Sequence, residues 1–318
     1  MNGLSTRVIL LTGIAAILLA APSRAQQPVH RTRHRRKPTD TTAVAAMPTA
    51  PPVAWPVTPV LPGAILPGSR IVAFYGNPLS TQMGVLGALP PAEMLAKLAT
   101  TAKAWAAADA MHSVKPALQL IATVASGNRG PDGLYRIRHS DSLIAEVAGW
   151  AEQRNWLMIL DVQVGWSSVS AELPRLIPWL KKPWVHLAID PEFAMHDGRI
   201  PSKKMGTLDA RDINYAIDFL AKIVDEEHLP PKVLVVHRWT QDMLTNYRQI
   251  KRDPRVQVII DMDGNGPPSG KTKIYDLEVQ RYPVQFTGFK LFYKLDHPMM
   301  TLAQVLALDP VPLYIQYQ

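Results

Sequence analysis

From Arg70 onward, short apolar runs alternate with stretches whose apolar positions recur every three or four residues. RIVAFYG is followed by PPAEMLAKLATTAKAWAAAD, and ALQLIATVAS by DSLIAEVAGWAEQRN. LMILDVQVG is followed by SAELPRLIPWLKK, and WVHLAID by LDARDINYAIDFLAKIVDEE. KVLVVHRW then precedes QDMLTNYRQIKR, VQVIIDMDG precedes KIYDLEVQRY, and VQFTGFKLFY precedes TLAQVLAL, with PLYIQYQ last. The runs are continuously apolar, as strands are when both sheet faces are covered. The intervening stretches carry helical stripes, such as Ile213, Ile217, Leu220 and Val224. Strand–helix alternation implies a parallel sheet with right-handed crossovers.

About eight such units predict an α/β fold, a (β/α)8 TIM barrel over residues 69–318. A doubly wound open sheet is the alternative. It usually carries a glycine fingerprint after its first strand, which FYGNPLSTQMG does not supply. The last strand ends the sequence, so the eighth outer helix is expected to be missing, with the preceding linker a candidate to cover the gap. Ahead of the barrel, residues 1–25 read as a signal peptide: Arg7, then VILLTGIAAILLAA, then small residues to Ala25. The apolar run is short for a membrane span, so none is expected once the signal is removed, and the chain is expected to be secreted or periplasmic. Residues 26–68 read as a disordered linker, basic at first (HRTRHRRKPTD) and then proline-dense. Within it, Trp55, Val57, Val60 and Ile65 are candidates to lie against the barrel.

Charge changes the picture little. The net +8 belongs to the N-terminal part: residues 1–68 hold seven basic residues and one aspartate, leaving 27 basic against 25 acidic from Ser69 on. No nucleic-acid partner is expected; an exported basic arm meets anionic cell-surface polymer more readily. With no cysteine, disulfides, thiolate metal sites and cysteine nucleophiles are excluded. Oligomeric state is not legible.

The chemistry gathers at strand ends, where barrel active sites lie. The first strand ends in Tyr75, the third in Asp161 and Gln163, the fourth in Asp190 and Glu192, the fifth in His237 and Trp239. The sixth offers Asp261 and Asp263, the seventh Lys290, the eighth Gln316 with Tyr317. In VHLAIDPEF, alternation puts His186, Ala188, Asp190 and Glu192 on one face, and Pro191 marks where pairing stops. Such carboxylates, with Tyr75, Trp166, Trp239, Phe292 and Tyr317 as candidate platforms, suit glycoside hydrolysis. AIDPE resembles the strand-four acidic motif of barrel glycosidases of the chitinase and lysozyme (muramidase) groups, and LYIQYQ is similar to the muramidases' closing strand. The resemblance implies Glu192 as general acid and Asp190 as its partner; Asp161, on the adjacent strand, is a further catalytic candidate, to orient water or a substrate group. His186 and Ala188 stand where chitinases continue the aspartate alternation, and IVAFYGNP lacks the muramidases' first-strand aspartate.

The expected function is an exported glycosidase-like barrel acting on polysaccharide or cell-wall polymer, with no cofactor. Tyr75, Gln163, His237, Trp239, Asp261, Asp263, Lys290 and Gln316 are the expected substrate contacts. Two alternatives remain open. The same carboxylates and His237 could hold a divalent metal for phosphoester or amide hydrolysis, although no compact ligand motif occurs. A barrel can also bind polysaccharide without turnover. NGPPSGKT lacks the first glycine of a phosphate loop, so Lys271 is not read as a phosphate ligand. The basic loops, with Arg136, Arg138, Lys203 and Lys204, would favour an acidic polymer.

Overall fold

In a computed structural model, the structure describes residues 55–318. The signal-like segment and most of the linker, including its basic arm, lie outside the described residues. Eight parallel strands form a closed barrel: β1 Ser69–Gly76, β2 Ser113–Ala125, β3 Leu157–Val162, β4 Val185–Ile189, β5 Lys232–Arg238, β6 Val256–Met262, β7 Phe286–Leu291 and β8 Tyr314–Tyr317. Closure comes from β8 pairing with β1, Ile71 opposite Tyr314 and Ala73 opposite Gln316.

Alternation decides what each strand residue meets. Outward residues such as Val72, Phe74, Leu118, Leu160, Leu187 and Val236 pack under the outer layer. Inward residues Ile71, Ala73, Ala117, Ile159, Ala188, Val233, Val235 and Ile259 fill the lower interior as a separate apolar cluster. Above that cluster the inward positions turn polar, beginning with Gln119, Asp161, His237 and Asp261.

The outer layer is less regular than the periodicity predicts. Helices Pro91–Ala108, Asp141–Glu152 and Ala210–Glu226 form as expected. Ser140 caps the second, and Asp209 with Asp212 makes a capping box on the third. SAELPRLIPWLKK breaks into Val169–Glu172, a 3-10 turn Leu173–Leu176, and Ile177–Leu180. Pro174 and Pro178 each remove a backbone donor that a continuous helix would need.

The helix expected after β5 does not form. Leu244–Thr245 instead makes a short parallel bridge with Leu208–Asp209, and Asn246 takes the left-handed conformation at φ 54°. Side chains hold this arrangement: Thr245 and Asn246 donate to the Asp209 carboxylate at 2.8 and 2.6 Å. Asn214 on the preceding helix bonds to Gln249 and Lys251. These tertiary bonds outweigh a marginal local helix propensity. Beneath the loop, the outward Arg238 guanidinium lies over the Tyr282 ring, 4.4 Å from its centroid. No helix follows β8 among the described residues. None of the described helices is long and apolar enough to cross a membrane.

The linker's end enters the barrel floor. Gln257 at the start of β6 accepts from the Ile65 and Leu66 amides at 2.9 and 3.1 Å and donates to the Leu66 carbonyl at 2.6 Å. Leu66 is thereby wholly buried among the interior residues. Trp55 packs on the outer layer, whereas Val57 and Val60 are exposed. Leu66→Ala is expected to lower the unfolding free energy by about 2–5 kcal/mol, as a buried cavity does, measured by urea denaturation. A loss below about 1 kcal/mol would show that the plug is not part of the core.

Candidate active site

Above the apolar floor, the inward side chains of seven strands meet in one buried polar network. His237 on β5 is its hub. Its Nε2 donates to Asp161 of β3 at 2.9 Å. Its Nδ1 lies 3.0 Å from Asp263, just past β6, and 3.6 Å from Asp261. Burial alone would strip the imidazole of its proton, but Asp161 and Asp263 outweigh it, and the pKa stands well above the ordinary value. His237 is therefore an imidazolium clamped between carboxylates. Lys290 on β7 extends the chain of charge, donating to the other Asp263 oxygen at 2.9 Å. Against burial, Lys290 and His237 hold the Asp263 carboxyl below its usual range, and Asp263 in turn raises Lys290.

Two residues not singled out from the sequence complete the hub. Gln119 of β2 donates to Asp161 and accepts from the Tyr314 hydroxyl of β8. Gln316 donates to the same hydroxyl at 3.0 Å. A lone amide in ALQLIATVAS is the one available signal, an inward polar position two residues after Ala117. Asp261 is different: it is wholly buried, and neither of its oxygens has a hydrogen-bond partner among the described residues. Burial pushes its carboxyl up to about 7, despite the nearby positive His237.

Glu192 and Asp190 do not continue the strand as the alternation predicts. β4 stops at Ile189, and Asp190 caps a 3-10 turn at Pro191–Phe193. The Asp190 carboxylate accepts from the Glu192 amide at 3.0 Å, and proline fits the first position of that turn because its missing donor is not needed there. The D-P-E order is thus a cap that projects Glu192 to the rim. There Glu192 is only partly buried, and its carboxylate accepts from the Trp239 indole at 3.2 Å. Desolvation and the negative Asp263 raise its pKa. Asp190 lies deeper, 2% exposed, and burial lifts its carboxyl well above the ordinary value. Burial and the nearby Asp263, rather than Asp190, lead the causes that raise Glu192. Gln163 donates to Asp190 at 3.4 Å and to the Tyr75 hydroxyl at 3.2 Å, and accepts from the Ala125 amide. Lys290 also sits over the Tyr75 ring, 4.1 Å from its centroid.

The predicted residues therefore converge, but at two depths. Asp161, His237, Asp261 and Gln316 are fully buried: the first three meet at the imidazole, and Gln316 bonds to Tyr314. Tyr75, Gln163, Asp190, Asp263 and Lys290 lie just above them, each under a tenth exposed. Glu192 and Trp239 stand at the opening. Of the proposed platforms, Trp166 and Trp239 are partly exposed, whereas Phe292 is buried. Tyr317 faces outward beneath Trp105, whose indole donates to its hydroxyl at 3.0 Å. His186, on the same face as Asp190, lies at the barrel floor and not at the mouth.

The loop charges are also committed elsewhere. Arg136 and Arg138 both bond to the buried Glu172, at 2.7 and 2.8 Å, tying the β2 loop to the β3 loop. They are not free for an acidic polymer; Lys203 and Lys204 remain exposed. Lys271, in the segment that mimics a phosphate loop, is wholly buried. Its ammonium bonds to the Gly264 and Lys290 carbonyls and to Asp296 at 2.7–2.8 Å, joining the loops after β6 and β7. No group of three or more His, Asp or Glu among the described residues is placed to hold a metal ion.

No family model and no curated protein matches the chain. Solved structures similar to it include a ruminal GH26 endo-beta-1,4-mannanase, at 10% identity and a TM-score of 0.37, covering 79% of this chain and 59% of that one. A second is a GH18 chitinase from Pseudoalteromonas aurantia, at 9% identity and a TM-score of 0.29, covering 78% of this chain and 79% of that one. The chain thus spans 59% of the mannanase's length. It is remotely similar to these two glycoside hydrolases, and no family is assigned by that.

The Asp261 pKa carries a stability consequence. Its folded value, about 7, is above the ordinary 3.8, so the folded state binds the extra proton and stability falls as pH rises between those values. Asp261→Asn removes this dependence. Its stability relative to the parent chain is expected to improve from pH 4 to pH 8, by about 4 kcal/mol at most. Denaturation curves at both pH values check this, and parallel profiles would contradict it.

Proposed function

We propose that this is an exported glycosidase-like barrel that cleaves polysaccharide or cell-wall polymer, with Glu192 as general acid. The observation that carries the reading is the opposite displacement of two neighbouring carboxyls. Burial and the nearby Asp263 raise Glu192 toward its protonated form, while Lys290 and His237 lower Asp263 toward its ionised form. Glycoside hydrolysis needs that pairing: one acid to protonate the departing oxygen, one carboxylate to meet the positive charge developing on the sugar or to activate water. Trp239, hydrogen bonded to Glu192, is placed to orient it and to offer a flat face to a sugar ring.

Within this reading the remaining residues position the pair. Asp190 fixes the turn that presents Glu192. His237 and Lys290 hold Asp263 ionised, and Asp161 with Gln119 fixes the imidazolium. Asp161 and Asp190 act through neighbours rather than on the substrate. The N-terminal pattern of Arg7, an apolar run and small residues supports export, and the basic arm supports contact with an anionic cell-surface polymer. Metal-assisted hydrolysis is less suited to these residues. Both His237 nitrogens face carboxylates, and Lys290 already occupies one Asp263 oxygen. A non-catalytic polysaccharide-binding barrel is the second reading, favoured by how few of the charged groups reach the opening.

A turnover screen of the mature chain on polysaccharides and peptidoglycan separates the two. Glu192→Gln and Asp263→Asn are each expected to lower turnover by about 10²–10⁴-fold without loss of fold. Unchanged activity in Glu192→Gln would remove it as the acid. Saturable glycan binding with no turnover in the parent chain would favour the non-catalytic reading.

A further inference from the structure

At the opposite end of the barrel from Glu192, the docked linker closes one wall of a cleft of about 410 Å³, within the usual range for a small-ligand site. Ile65 of the linker, Ser69, Ser113, Lys115, Trp184 and His186 are among its lining residues. His186 is 1% exposed. Its Nδ1 accepts from the Val233 amide at 3.2 Å, standing in for a ladder acceptor where β4 and β5 have not yet paired. The ring proton therefore sits on Nε2, and that donor has no partner among the described residues. A buried donor left unpaired costs about 1–3 kcal/mol, so its survival calls for a reason. Burial and the nearby Lys232 keep the ring neutral, so it donates without bringing charge.

We propose that this floor cleft is a second ligand site, for a small acidic sugar of the hexuronic acid type. The match is chemical. Lys115 is exposed at the cleft, and none of the lining residues is a carboxylate, so a single negative charge is favoured. Trp184, partly exposed, suits the C–H face of a sugar ring. His186 Nε2–H supplies one donor in a dry position, and the Ser113 hydroxyl lies at the exposed edge. One wall is linker: the Gly63 backbone is so close to Pro230 that a Cβ there would come within 2.8 Å of its side chain. Gln257 holds the same segment by three hydrogen bonds. Occupancy is therefore linked to linker docking. The site is independent of the glycosidase reading, since it shares no residue with the Glu192 mouth.

The test is titration of sodium glucuronate into the full chain, followed by NMR of the Trp184 indole and His186 ring signals. Saturable shifts at both are expected, with Kd near about 1 mM. Neutral glucose should bind at least tenfold more weakly, and Lys115→Glu, an exposed change, should weaken glucuronate at least tenfold. His186→Phe should abolish binding, and Glu192→Gln should leave it unchanged. No shift of either signal up to about ten times that concentration would overturn the site. So would equal binding by Lys115→Glu, shifts confined to Trp239, or a glucuronate-soaked crystal with only an ordered water on His186.

Discussion

An imidazolium between two carboxylates occupies the middle of this barrel, and the arrangement around it follows from that placement. His237 is wholly buried, with Asp161 on one nitrogen and Asp263 on the other. In a low-dielectric interior an unpaired charge is costly, so each member of the chain requires the next. Asp161 needs Gln119, Gln119 needs Tyr314, and Asp263 needs Lys290. These groups come from β2, β3, β5, β7 and β8 and from the turn after β6. The polar layer can be satisfied only in the closed register of the barrel. It thus specifies the fold as well as the chemistry.

The same chain sets the electrostatics of the opening. Asp263 is held negative from below, and that charge, with partial burial, lifts Glu192 above it. The raised carboxyl at the rim and the lowered one under it are therefore consequences of one network. Placement of Glu192 depends on a separate local device, the Asp190 cap on a proline-initiated turn. The rim loops are braced without calling on this network: Glu172 binds Arg136 and Arg138, and Lys271 binds Asp296 and two carbonyls.

Much of the frame is legible in the amino-acid order alone, because period-two and period-3.6 patterns report burial directly. All eight strands and the stripe Ile213, Ile217, Leu220 and Val224 fall where those patterns put them. QDMLTNYRQIKR does not, because its fate rests on Asp209 and Asn214, which sequence distance hides. Facing is legible for Asp161, His237 and Asp261, but depth is not. Depth depends on the stagger between neighbouring strands, such as His237 opposite Asp261. Gln119 and Tyr314 escape notice for the same reason: one amide and one phenol mean little until the register brings them together. Arg136 and Arg138 look like free charge because Glu172 is far away along the chain.

The polar network rests on His237 being a buried cation at neutral pH. Nitrogen-15 NMR of the histidine side chains reads this directly, since a doubly protonated ring differs from either neutral tautomer. Both His237 nitrogens should be protonated at about pH 8, well above the ordinary titration range of an imidazole, and Asp263→Asn should bring the titration down. A His237 ring with one bare nitrogen at about pH 7 would contradict the account.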